Sequence, residues 1–161
     1  MIIRCFAVLI IAAVLAGCAT KPFSPVESSS VVEVSGLSQQ ELFDKTRQWF
    51  SQYFVSGKSV VDYENRELGT IIGNGVSEIG RDPFGMITYS IHYNIKIETK
   101  DGKFRATTKI SKHTNTDSSN TYDVNHLSVK REEMAAAHVE KIVSDIKKYI
   151  SEQSGSRGSD W

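Results

Sequence analysis

The chain has 161 residues, of which 40% are hydrophobic and 24% are charged. This composition is typical of one folded domain and excludes a disordered or multi-spanning chain. Nineteen basic residues balance nineteen acidic ones, so the chain has no strong field that would concentrate nucleic acid around it. Nucleic acid is therefore not an expected partner.

The first 17 residues have the pattern of a secretory signal peptide. Arg4 supplies a positive start, and the apolar run at residues 6–16 ends in small residues. That run is too short for a spanning helix, which needs about 20 apolar residues. We therefore predict a signal peptide at residues 1–17.

The sequence Leu15-Ala16-Gly17-Cys18 resembles the lipobox that ends the signal peptide of bacterial lipoproteins. The resemblance implies cleavage before Cys18, diacylglycerol on its sulfur and an acyl chain on its amine. Several acyl chains together hold a protein on a membrane. Ala19 stands where an aspartate would favour retention in the inner membrane, so the resemblance favours the outer membrane. An ordinary buried thiol is the alternative for Cys18.

Cysteine usage fits an oxidising compartment. Cys5 would leave with the signal peptide and Cys18 would become a thioether, so the mature chain would keep neither a free thiol nor a disulfide. The lipid on Cys18 is the only covalent group predicted, and no cofactor is expected.

Two polar stretches flank the expected domain at residues 31–150. Residues 18–30 are predicted to be the lipidated cysteine and a flexible linker, since the sequence KPFSPVESSS is rich in proline and serine and its Phe23 and Val26 are isolated. Residues 151–161, SEQSGSRGSDW, have the composition of a disordered tail.

The domain begins with a short strand at residues 31–34 and a helix. Ser38 and Glu41 have capping-box spacing, and Leu37 with Leu42 can form a hydrophobic staple. A wide apolar stripe follows at helical spacing and ends before Gly57. Its members are Leu42, Phe43, Thr46, Trp49, Phe50, Tyr53 and Phe54.

Four strands follow, at about residues 59–64, 68–79, 88–98 and 103–111. The third strand alternates apolar and polar residues, and Asp101-Gly102 suits a type I′ hairpin turn between the third and fourth. A two-residue loop predicts these facing pairs: Lys100 with Lys103, Glu98 with Arg105, Ile97 with Ala106, Ile95 with Thr108, and Tyr93 with Ile110.

A polar connection at residues 112–125 is predicted to precede a helix that starts near Val129. Apolar residues recur at helical spacing as far as Ile150, and Lys147 and Lys148 complement the helix dipole. The sequence therefore predicts an α+β fold in the order strand, helix, four strands, helix. We expect the helices to cover one face of an antiparallel sheet.

Three segments between residues 31 and 110 carry a family resemblance: VVEVSGLSQQELFDKTRQWF, ELGTIIGNG and YSIHYNIKIETKDGKFRATT. Together they resemble a bacterial family of domains of unknown function, the DUF4468 type, whose members are described as having a TBP-like fold. The resemblance implies that fold but no activity, and it nominates no functional residues. Likeness of fold to a DNA-bending protein says little about function.

No pattern predicts a metal site or a catalytic residue. The four histidines lack metal-ligand spacing, although His113, Asp117, Asp123 and His126 surround one polar loop that equally suits a solvated connection. Gly73-Asn74-Gly75 precedes a strand rather than a helix, which favours strand twist or a bulge over a phosphate cradle.

Several residues are candidates for binding a partner protein. Phe84 and Arg81 lie in the loop at residues 80–85, beside a proline, and exposed aromatic residues often anchor interfaces. Trp161 ends the polar tail. The outward face of the sheet has mixed charge and adds His92, Lys96 and Arg105.

The sequence as a whole favours a non-enzymatic lipoprotein of the outer membrane whose domain binds an envelope or outer-membrane protein. One subtype is a phage or mobile-element lipoprotein that blocks a receptor. The alternatives are a domain that binds a small ligand between sheet and helices, and a structural envelope protein.

Overall fold

A computed structural model describes residues 20–54 and 60–155. The predicted signal peptide, Cys18 and Trp161 lie outside these residues. The elements in chain order are β1 (Thr20–Pro22), β2 (Val26–Glu33), α1 (Gln39–Tyr53), β3 (Val60–Asn65), β4 (Thr70–Arg81), β5 (Thr88–Lys100), β6 (Lys103–Thr116), β7 (Thr121–Asp123), β8 (His126–Ser128) and α2 (Val129–Gly155).

The strands form an antiparallel six-stranded sheet and a separate two-stranded one. The large sheet has the order β2-β6-β5-β4-β3, with β7 paired to the end of β6, while β1 pairs with β8. Buried residues of β5 alternate along the strand and join residues of both helices in one core cluster. The predicted α+β fold with an antiparallel sheet and two helices is confirmed.

The register of the β5–β6 hairpin follows the prediction. All five predicted pairs, from Lys100 with Lys103 to Tyr93 with Ile110, are present. One face of β5 is fully buried, because Ile91, Ile95 and Ile97 are 0% exposed. A one-residue slip would move this apolar set to the solvent face, which is why alternation alone fixes the register.

The predicted type I′ turn is wrong. A type I′ turn needs a positive φ at both central residues, and in the described chain only glycines have one, among them Gly102 with φ of 71°. The turn instead packs on the start of α1, where the Asp101 Oδ1 accepts a hydrogen bond from the Gln39 amide at 2.7 Å. Val34 and Leu37 also bond the Gly102 backbone, each at 2.8 Å.

Helix α1 starts as its sequence predicts. Ser38 caps it with both hydrogen bonds of a capping box, the Glu41 side chain accepting from the Ser38 amide at 2.9 Å. Leu37 and Leu42 are both buried, and most of the predicted stripe is buried with them. Toward the end of the helix Trp49 stacks on Tyr53, with 4.5 Å between ring centroids.

The prediction of a flexible linker at residues 18–30 is wrong, because strands β1 and β2 occupy most of this segment. Strand β2 pairs with β6 from Val26 onward, and the Ser28 and Ser29 hydroxyls lie 3.3 and 3.1 Å from the hydroxyls of Thr108 and Thr107. An edge strand needs only one partner strand and tolerates polar residues, so serine-rich composition did not prevent pairing. The predicted strand at 31–34 is the end of this longer one.

Two further boundaries differ from the predictions. Strand β6 continues to Thr116 and is followed by β7 and β8, so residues 112–125 are mostly strand rather than connection. Helix α2 reaches Gly155, so the predicted tail is helical in its first residues. Ion pairs one turn apart, such as Lys148 with Glu152, support a polar helical end.

Gly73 and Gly75 make room for aromatic rings, and Gly73 also lies where the pairing of β3 with β4 shifts register, between Val61 and Tyr63. A Cβ at Gly73 would lie 2.7 Å from the Phe50 ring, and one at Gly75 would lie 2.5 Å from the Tyr93 ring. A second irregularity falls later in β4, between Glu78 and Gly80. The missing side chains therefore make room for core aromatics over the sheet.

Candidate functional site

The β4–β5 loop, residues 82–87, is held in one shape by Asp82. Its backbone amide donates to the Ile87 carbonyl at 3.0 Å, and its carbonyl accepts from Gly85 at 3.0 Å. Its carboxylate accepts from the Ile87 amide at 2.7 Å and from the Phe84 amide at 3.4 Å. Four hydrogen bonds centred on one residue preorganise the loop.

The same loop presents two apolar side chains to solvent. Phe84 is 81% exposed and Met86 is 67% exposed. Arg81 at the loop's base pairs with Glu78 at 2.8 Å, and this hydrogen bond to Arg81 lowers the pKa of the Glu78 carboxyl. The arrangement offers an apolar tip beside a neutralised ion pair, which suits contact with another surface.

The predicted partner-binding residues His92, Lys96 and Arg105 lie on the solvent face of the sheet. Lys96 and Arg105 converge on Glu98, at 2.9 and 3.9 Å. His92 lies along the same strand, 3.5 Å from the Thr114 hydroxyl, and burial lowers its pKa. The structure thus brings Lys96 and Arg105 together around the Glu98 carboxylate, and the two cations share its negative charge.

The loop and the first strand lie at the same end of the fold. Thr88, just after the loop, pairs with Thr116 at the end of β6, and Thr116 also pairs with β7. The chain enters beside that end, because Phe23 donates to the Asn125 carbonyl at 2.8 Å and its ring lies 5.0 Å from the His113 ring. The exposed loop and the entry of the chain therefore share one end of the sheet.

A cavity of about 490 Å³ lies between the start of α2 and the β2–β6 edge of the sheet. Its apolar lining includes Phe23, Val26, Ile110, Leu127, Ala136 and Val139. Its polar lining includes Ser28, Thr108 and His113, with Lys21, Glu132, Glu133 and Glu140 as the charged members. This cavity is separate from the fully packed centre of β5.

His113 is a buried titratable group of the cavity wall. It is 3% exposed, and its Nδ1 has no hydrogen-bond partner among the described residues. Burial and then the nearby charge of Arg131 lower its pKa, which favours the neutral imidazole. A neutral ring keeps one nitrogen as an acceptor.

The histidines make stability sensitive to acid. We expect the free energy of unfolding to fall as the pH drops below about 6.5, the ordinary pKa of histidine. The pKa values of His92, His113 and His138 are all lowered in the folded state, mainly by burial. The unfolded chain therefore binds protons first, so the stabilisation present above the ordinary pKa is lost as the pH falls through the folded values.

Urea unfolding at a series of pH values measures this effect. The variant His113→Leu should flatten the profile, whereas His126→Leu, which replaces an exposed histidine, serves as the matched control. Identical acid slopes for His113→Leu and the unmodified chain would contradict the assignment.

Neither a metal-binding cluster nor a membrane-spanning helix is present among the described residues. Residues 20–54 and 60–155 contain no group of three or more side chains placed to hold a metal ion. His113 is buried beside Phe23, while His126 and Asp123 are exposed. Over the same residues, neither helix has the length and apolarity needed to cross a bilayer.

A family model described as a domain of unknown function with a TBP-like fold matches residues 29–113. The chain belongs to the DUF4468 family. The match covers β2 through most of β6, with α1 between them, and confirms the resemblance carried by residues 31–110. The cavity draws His113 and Ile110 from the matched region, while Phe23 and α2 lie outside it.

Solved structures support the same fold for this DUF4468 chain. A DUF4468 protein from Bacteroides ovatus has a TM-score of 0.59 and 15% identity, over 78% of this chain and 85% of its own. A TBP-like protein from Parabacteroides distasonis has a TM-score of 0.56 and 19% identity, over 80% of this chain and 96% of its own. At such identities the likeness concerns the fold. No curated protein matches the chain.

The sequence raises a ligand site between sheet and helices as an alternative, but it does not indicate the residues that line this cavity. Phe23 was read as an isolated apolar residue in a linker, but it packs against the core and edge-on to His113. A proline-rich stretch can still form part of a cavity wall when its backbone is hydrogen-bonded to another segment, as the Phe23 amide is to the Asn125 carbonyl. The apolar residues Phe23 and Val26 are the sequence signal that could have indicated a buried contact in this segment.

Proposed function

We propose that this DUF4468 protein is a lipoprotein of the outer membrane whose domain binds an envelope protein through the β4–β5 loop. The observation that carries the binding role is Phe84, 81% exposed in a loop that Asp82 holds in place. A loop whose backbone is already held in place loses less conformational freedom on docking. The role assigns no catalytic residue and no cofactor.

The proposal of a lipid anchor is supported by the lipobox resemblance at Cys18. The position of the loop relative to the entering chain then indicates where a partner would lie. The described chain enters at the end of the sheet that also carries the β4–β5 loop. Lipid chains on Cys18 would therefore hold Phe84 near the membrane surface. This supports a partner that is itself embedded in, or bound to, the outer membrane.

Receptor blocking by a phage or mobile-element lipoprotein is one form of the proposed role. A tethered domain with a preorganised apolar tip could cover the external loops of a receptor. The neutral net charge and the mixed charges around Glu98 favour shape and apolar contact over electrostatic attraction as the basis of recognition.

Mass spectrometry of the native product tests the anchor. The expected result is a chain that begins at Cys18 and carries diacylglycerol and an N-acyl chain, recovered with the outer membrane. A Cys18→Ser variant should lose the lipid and leave that fraction. An unmodified Cys18 thiol in the native product would refute the anchor without bearing on the loop.

Photo-crosslinking from position 86 in intact cells tests the loop. We expect one envelope protein to be crosslinked, and Phe84→Ala to reduce its yield about tenfold or more, as expected for a central aromatic anchor worth about 2 kcal/mol. Leu68→Ala is the matched control, because Leu68 is also 67% exposed but lies in the β3–β4 turn. Equal loss in both variants, or crosslinks to lipid alone, would overturn protein binding by this loop.

A further inference from the structure

The cavity beside α2 has the features of a small-molecule site distinct from the β4–β5 loop. Its volume of about 490 Å³ falls in the range of about 300–1,000 Å³ that is usual for ligand pockets. Its walls come from β1, β2, β6 and α2, so both the small sheet and the large sheet contribute to it. A site built from several elements holds its shape without the ligand.

The interior of this cavity favours an apolar body. Leu127 is 1% exposed and Val139 is 5% exposed, and both line it together with Phe23 and Ile110. Burying an apolar chain against such side chains gains about 25 cal/mol per Å² removed from water. The polar groups within the wall, Ser28 and Thr108, already lie within hydrogen-bond distance of each other.

The charged lining favours a cationic head group. Three glutamates face one lysine, and Lys21 pairs with Glu132 at 2.8 Å. Glu133 and Glu140 are exposed and have no ion-pair partner among the described residues. The net negative rim would repel an anionic head group, whereas a cationic head group would balance its charge.

His113 is the second, independent sign of a ligand. The His113 side chain lines the cavity and only 3% of the residue is exposed. Its Nδ1 has no hydrogen-bond partner among the described residues. Buried polar groups are almost always hydrogen-bonded, and an exception calls for an explanation. A neutral imidazole accepts one hydrogen bond at this nitrogen, from water or from a polar group of a ligand that enters the cavity.

We propose that this cavity binds a small amphiphile with an apolar chain and a protonated amino group, the chain lying against Phe23 and Val139 and the amine facing Glu133 and Glu140. This role goes beyond the binding of an envelope protein. The two roles use different elements, so either can fail without the other.

Calorimetric titration with octylamine, octanol and octanoate tests the proposal, because these probes share one chain and differ only in the head group. The protein is the chain from Ala19 to Trp161, which contains all described elements; cooperative thermal unfolding is verified first. We expect octylamine to bind about fivefold or more tightly than octanol, as for one partly exposed ion pair. Octanoate should bind most weakly.

Two sets of variants locate the binding. Ala136→Phe fills the cavity from an exposed position of α2 and should abolish octylamine binding, whereas Ala137→Phe, at an exposed position outside the lining, should not. Glu133→Gln with Glu140→Gln should remove the preference for octylamine over octanol. Absence of binding by all three probes, equal effects of Ala136→Phe and Ala137→Phe, or tightest binding of octanoate would each overturn the proposal.

Discussion

Phe50→Ala is expected to lower the free energy of unfolding by about 3–5 kcal/mol, the range for removing a fully buried aromatic ring. Phe50 is 0% exposed, stacks on Phe54 with 4.9 Å between centroids, and meets Trp49 edge-on at 5.3 Å. The ring also lies over Gly73, where a Cβ would come within 2.7 Å. A glycine cannot fill the vacated space, so we expect a loss in the upper part of the range.

Chemical denaturation of the purified protein measures this loss. Phe84→Ala provides the matched control, because it deletes the same ring at a position that is 81% exposed. Its expected cost is within about 0.5 kcal/mol, as for an ordinary surface substitution. Similar costs for the two variants would mean that α1 does not pack on the sheet as described.

Gly69→Ala is expected to destabilise the fold by about 2–5 kcal/mol, combining backbone strain of about 1–2 kcal/mol with overpacking of about 1–3 kcal/mol. Gly69 has a φ of 64°, and its carbonyl accepts from the Thr99 amide at 2.8 Å. A Cβ there would lie 2.8 Å from the Thr99 carbonyl oxygen. Because this neighbour is backbone in a central strand, the clash cannot be relieved by a rotamer change.

Gly102→Ala separates the two contributions. Gly102 has a similar φ of 71°, but a Cβ there would meet nothing within 4 Å. It should therefore cost only the strain of about 1–2 kcal/mol. Denaturation midpoints of both variants give the comparison, and a Gly102→Ala cost equal to that of Gly69→Ala would refute the clash.

The elements that the sequence predicted well are those decided by nearby residues. The alternation from Thr88 to Glu98 and the two-residue loop set the β5–β6 register without outside help. The capping box from Ser38 to Glu41 spans four residues and is likewise local. Where neighbouring side chains alone determine burial and pairing, a single sequence is sufficient to predict them.

The elements that it predicted poorly depend on distant partners. The turn at Asp101 accepts a hydrogen bond from Gln39, 62 residues away in sequence, and the local sequence does not indicate this contact. Strand β2 was hidden because its hydrogen bonds come from β6, and no apolar alternation marks Ser28 to Ser30. Composition cannot indicate a strand whose only requirement is a neighbouring backbone.

The candidate site divides in the same way. Phe84 and Arg81 were found because a proline beside an aromatic residue marks an exposed loop. The lining of the cavity was not predicted, because its wall joins Phe23, His113 and Val139, which lie far apart in the chain. The pairing of β1 with β8 and the ion pair of Lys21 with Glu132 bring the entering chain beside the start of α2.

Strand β1 would also limit the reach of the lipid anchor proposed at Cys18. Only Ala19 stands between Cys18 and Thr20, the first paired residue, and two residue steps span at most about 7 Å. A protein anchored at Cys18 would therefore stay close to the bilayer surface and could contact only what lies near that surface. A longer spacer inserted after Cys18 would raise its working height.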